Sequence, residues 1–257
     1  MQDPNSEPQR PKDRTVRVWD VPVRVLHWTL AASFLLAIGL AALSPKHSTA
    51  FALHPVFGLL AVFAVVLRIV WGFVGSRYAR FGSFLYGPRA VMGYFREALG
   101  RRDIASPGHN PGSSYAILAM LLGPVLLAVT GLAGEAGEEV HEAVAYLTLA
   151  VVVLHLVGIG WHTLRHKENI AFSMWSGLRP GKPEDGIQSS HPVTGVAFAV
   201  GVAAFALLLF RGFDATKREL TLPVVGTKIA LGEDEGGEHE GKGERHEKRK
   251  GDHDDDD

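Results

Sequence analysis

The chain has 257 residues, of which 47% are apolar, 12 are histidine and none is cysteine, and its formal net charge is -1. Without cysteine there are no disulfides and no thiolate metal sites; the net charge says little by itself, and no nucleic-acid partner is expected. A large globular domain and a small polytopic membrane protein both fit this size, and the distribution of the apolar residues decides between them.

Residues 1–15 are polar and proline-containing, and disorder is expected there. Apolar runs follow near 25–43, 53–74, 115–133, 141–163 and 193–210. Each approaches the ~20 residues a helix needs to cross ~30 Å of hydrocarbon, so five transmembrane helices are predicted. The first run begins only after a charged stretch and is long enough to stay as an anchor, so no cleaved signal peptide is expected. Between the second and third runs, FLYGPRAVMGYFREALGRRD alternates apolar residues with arginines and suits either a helix lying in the membrane surface or a solvated loop helix. The SPGHNPGSS that follows is turn chemistry. Residues 212–257 read as a charged extramembrane tail, largely disordered.

The basic residues give an orientation. Arg10, Lys12, Arg14, Arg17 and Arg24 come first; Arg77, Arg80, Arg89, Arg96, Arg101 and Arg102 fill the second loop; Arg165, Lys167, Arg179 and Lys182 fill the fourth; the first and third loops hold only Lys46. The positive-inside rule then predicts a cytoplasmic N-terminus, and the odd number of helices puts the C-terminus on the other side of the membrane, with lipid as the first partner. Trp19, Trp28, Trp71, Trp161 and Trp175 all fall near the cytoplasmic interface, where an amphipathic indole is favoured.

An ionisable residue inside a span is costly and marks a functional site by default. His27 lies toward the cytoplasmic end of the first helix, His54 at the outer end of the second, and His141 and His155 at two depths on the fourth. The last two are fourteen residues apart; at ~100° and 1.5 Å per residue they share nearly one face and differ in depth by about 21 Å. Depth pairs His27 with His155 and His54 with His141. Two opposed imidazoles at each level suit one haem iron at each level, whereas a compact zinc or copper site wants its ligands at one depth. Any such haem is non-covalent, since a C-x-x-C-H attachment motif needs cysteine. The competing reading is that each histidine only hydrogen-bonds a neighbouring helix.

Gly39, Gly58 and Gly158 would let a flat macrocycle approach the backbone, or serve close helix packing. Arg24 and Arg68 would pair with haem propionates or snorkel to headgroups. His162 is expected at the interface, with a quinone or proton-exchange site as the alternative. His47, His109, His166, His191 and the tail histidines are assigned no cofactor role.

The stretches VWDVPVRVLHW, LHPVFGLLAVFAVVLRIVWG, GHNPGSSYAILAMLLGPVLLAVTGL, HEAVAYLTLAVVVLH and HKENIAFSMWSGLRP together resemble the bacterial cytochrome b561 family, which includes the b-type cytochrome subunits of nickel-iron hydrogenases. The resemblance covers residues 15 to 180. It implies an all-α integral membrane bundle: a four-helix core, within residues 16–180, holding two b haems that carry electrons between the quinone pool and a partner such as a hydrogenase or a c-type cytochrome. Its haem ligands map onto His27, His54, His141 and His155. The fifth helix, near 192–211, and the charged tail depart from the family's common core. A haem-free transporter or anchor using its histidines as a proton or metal relay is the alternative in a different class, and quinone chemistry within this subunit would make it an oxidoreductase in its own right.

Overall fold

The computed structural model describes residues 15–99, 108–109, 111–223 and 225–231. Five of its helices are long and apolar enough to span a membrane. They are α1 (Val21–Leu43), α3 (His54–Val74, continued backward by the single turn α2, Thr49–Ala52), α5 (Pro111–Leu132), α6 (Glu138–His166) and α8 (Pro192–Gly212). Phe73 is 71% exposed and Leu154 68%; in a bundle with hydrocarbon as its solvent such side chains face lipid. The architecture is an all-α membrane bundle.

Helix ends lie where capping chemistry puts them. α1 starts at Val21, ahead of the apolar run, because Asp20 caps it by accepting from Val23 N–H at 2.8 Å and Pro22 supplies a preset first-turn conformation. α3 starts with a proline in its first turn, after Leu53. The surface segment forms α4 (Pro88–Leu99), which packs on α5; residues 100–107 of that loop lie outside the described part.

The two ends of the bundle differ. At the arginine-rich end, β1 (Thr15–Arg17) pairs antiparallel with β2 (Leu178–Pro180), Val16 opposite Arg179. Between them α7 (Ile170–Ser176) ends on Gly177, whose φ of +79 suits glycine and whose hydrogen would be replaced by a Cβ 2.8 Å from Trp19 O. This clamp ties the chain before α1 to the chain after α6. Trp19 and Trp71 belong to it and are buried, their indoles donating to Ser173 Oγ (2.9 Å) and Asp20 Oδ2 (3.0 Å). They are therefore core residues held by hydrogen bonds, while Trp28, Trp161 and Trp175 stay exposed as interfacial indoles do.

The far end corrects the expectation of a largely disordered segment after residue 212. Residues 213–231 fold into a three-stranded antiparallel sheet of β3 (Phe213–Asp214), β4 (Glu219–Thr221) and β5 (Lys228–Ala230). Leu220 and Leu231 are buried against Ala52, Val56 and Leu209, and Arg218 donates to Lys46 O at 3.0 Å. Burial of these leucines offsets the ordering cost of strands too short to stand alone. The charged tail itself, from residue 232, lies outside the described residues.

Lateral packing decides where a cofactor can sit. α1 and α3 form the tightest pair, α8 covers that pair with stacks such as Phe63 on Phe205 at 4.3 Å, and α5 joins α3 to α6. α6 packs closely along α5 and not along α1 or α3. The α5–α6 contact depends on Gly123, where an added Cβ would fall 2.6 Å from Thr148 Oγ1. Gly123→Val is expected to lower stability by about 1–3 kcal/mol through overpacking, read as a drop in the thermal unfolding midpoint in detergent. Gly160→Ala, in open space on α6, is the control and should not lower it.

Candidate functional site

The far-end pair is the better defined. His54 opens α3 and donates from Nδ1 to Ala37 O at 2.8 Å. His141, in the first turn of α6, donates from Nδ1 to Leu127 O at 2.9 Å and lies 3.2 Å from the Thr130 hydroxyl. A carbonyl oxygen only accepts, so in both rings Nδ1 carries the proton and Nε2 keeps its lone pair. Gly131 makes this placement feasible: a Cβ there would crowd the His141 ring at 3.2 Å. The two ring centroids are 5.9 Å apart with planes at 76°. Imidazoles on opposite sides of one metal ion, each bonded at ~2 Å, have centroids about 6 Å apart. At this separation His54 and His141 could together hold a haem iron, which would supply one-electron redox chemistry.

The arginine-rich end holds His27 on α1 and His155 on α6. His27 Nδ1 is out of solvent and has no hydrogen-bond partner among the described residues. A buried nitrogen left so costs about 1–3 kcal/mol, a cost that a ligand removes. Among the described residues no group of three or more His, Asp or Glu could hold a metal ion, and the rings of His54 and His141 meet as a pair.

The neighbours sort the sequence alternatives. A Cβ on Gly39, Gly58 or Gly158 would meet nothing within 4 Å, so close helix packing is not what these glycines serve. Arg24 neither snorkels nor reaches inward: its guanidinium caps the end of α7 through Met174 O and Trp175 O. Arg68 is only 8% exposed, so it does not snorkel either, and its Nη1 is buried without a partner. His162 lies 3.7 Å from Glu168 Oε2, and Glu168 also binds Arg179 at 3.0 Å; this is an interfacial charged cluster beyond the ligand pairs.

One residue was missed from sequence. His109, in the turn before α5, sits between Trp19 and Phe84 with centroids 4.7 Å from each. Burial, and then the charges of Arg68, His155 and Arg179, push its ring down to about 3, so at neutral pH it is an uncharged imidazole with one donor and one acceptor nitrogen. The GHNPG motif marked a turn and carried no sign of burial.

The family model of prokaryotic cytochrome b561 matches residues 18–177. Two curated relatives, each named "Probable Ni/Fe-hydrogenase 1 B-type cytochrome subunit", from Escherichia coli strain K12 and from Escherichia coli O157:H7, are 28% identical over 137 residues, covering 45% of this chain. The chain spans 58% of the length of each. No solved structure matches it. The family match takes in α1, α3, α5, α6 and all four paired histidines, and the chain belongs to the prokaryotic cytochrome b561 family, as a b-type cytochrome of the membrane.

Proposed function

We propose that this chain is a di-haem electron carrier that moves electrons between the quinone pool and a partner redox protein in a respiratory chain. The observation that supports it most is the His54–His141 pair, locked in one tautomer with both Nε2 lone pairs free and ring centroids 5.9 Å apart. Haem bound by two histidines supplies one-electron chemistry and leaves no open position for oxygen. The chain's own part is to orient: the carbonyls of Ala37 and Leu127 hold each ring in place and raise its basicity. His27 and His155 are the ligands of the second haem in this reading, about 21 Å away along α6.

The arginine-rich end faces the cytoplasm of a bacterial inner membrane in this reading, which rests on the positive-inside rule and leaves the sheet of residues 213–231 in the periplasm. The name of the curated relatives favours a hydrogenase as partner, with a c-type cytochrome as the other candidate.

A reduced-minus-oxidised spectrum and a haem-to-protein ratio test the reading. Two b-type haems per chain are expected, reducible by added quinol with no partner present. No b-type absorption after expression with ample haem overturns the carrier; haems that quinol leaves oxidised remove the quinone link.

A further inference from the structure

On α3, Arg68 follows His54 by fourteen residues, the interval that separates His155 from His141 on α6. Each helix therefore presents, on nearly one face, one group at each of two depths about 21 Å apart. At the inner depth α6 offers a histidine and α3 an arginine. Arg68 is buried, with Cζ 5.6 Å from the Phe81 ring centre and 5.9 Å from that of Phe84. Phe84 also touches His109, with ring centroids 4.7 Å apart.

The turn carrying His109 is fixed by its surroundings. Arg179 Nη1 donates to Gly108 O and the Tyr86 hydroxyl to His109 O, both at 3.3 Å, and a Cβ on Gly108 would lie 2.5 Å from the Tyr78 ring. His109 thus holds its place by contact. Yet among the described residues Arg68 Nη1 and His109 Nδ1 are both buried without hydrogen-bond partners. Asp20, the carboxylate whose charge reaches Arg68, has its two oxygens taken by Val23 N–H and Trp71 Nε1–H. A buried guanidinium without a hydrogen-bonded anion is expensive, and a planar fork and an imidazole that both border Phe84 offer donors of the kind a carboxylate accepts.

We propose that Arg68 and His109 together hold a propionate of the haem ligated by His27 and His155, making them positioning residues for that haem. This rests on the function proposed above. The fixed positive charge of Arg68 then raises the potential of that haem, and His109 anchors the same carboxylate.

A redox titration tests it in His141→Ala protein, where the inner haem is the one retained, with R68Q, R68K, H109L or H109Q added. R68Q should shift the reduction equilibrium about tenfold toward the oxidised form, ~59 mV for one electron, and R68K should recover most of it. H109L should shift it severalfold the same way, while H109Q, which keeps an N–H donor, should stay near the parent. Bound haem with an unmoved potential in R68Q and H109L overturns the assignment, as does an unmoved potential with weakened binding of a quinone analogue. If R68Q does not fold, H109L against H109Q decides. A parent protein without b-type haem is a separate result that overturns the function itself.

Discussion

His141→Ala is expected to remove one haem per chain and leave the other in place. His141 is joined to its partner only across the far end: its Nδ1 is committed to Leu127 O, and its ring faces His54 at 5.9 Å. The next imidazole on α6, His155, lies about 21 Å along the helix axis and cannot substitute. Loss of the ring removes a buried hydrogen bond worth about 1 kcal/mol, too little to unfold the bundle, so the haem-to-protein ratio should fall from two to one in folded protein. The pairing has a sharper consequence. His54→Ala should abolish the same haem, the double variant should lose no more than either single one, and His141→Ala with His155→Ala should lose both. If His54→Ala and His141→Ala removed different haems, the pairing by depth would be wrong.

The proposed pairing comes from the sequence, because helical periodicity converts a spacing of fourteen residues into a face and a depth without reference to any other element. Hydropathy located the five spans for the same reason: the length of an apolar run is a local property. What could not be read depends on distant partners. Trp19 and Trp71 look like interfacial indoles until Ser173 and Asp20 are seen to accept their N–H groups. Arg24 looks free until the end of α7, about 150 residues on, takes its guanidinium. His109 belongs to a turn by composition, and only its contacts with Trp19 and Phe84 show that the ring is buried. The strands of residues 213–231 are two or three residues long and carry Asp, Lys and Glu among their apolar positions. No period-two pattern can emerge from so short a stretch; Leu220 and Leu231 gain their role only from the pocket under the ends of α3 and α8.

Asp20→Ala is expected to be the most destabilising single change at the arginine-rich end. Asp20 is fully buried and its two oxygens serve two elements, Oδ1 accepting from Val23 N–H at 2.8 Å and Oδ2 from Trp71 Nε1–H at 3.0 Å. Losing the N-cap of α1 costs about 1 kcal/mol, and leaving the buried indole N–H unpaired costs about 1–3 kcal/mol more. The change also removes a negative charge from the positive end of the α1 dipole and from the field of Arg68. Together these predict a loss of about 2–4 kcal/mol, measured as a lower thermal unfolding midpoint in detergent. Asp20→Asn separates the contributions: its oxygen can still cap α1, but its amide donors cannot accept from Trp71, so it should fall between the parent and the alanine variant. In a double-mutant cycle, Trp71→Phe should cost less in the Asp20→Ala background than alone, because the indole then has no bond to lose. Additive effects would show that Asp20 and Trp71 act independently, and that the clamp between α1 and α3 is held by packing rather than by this carboxylate.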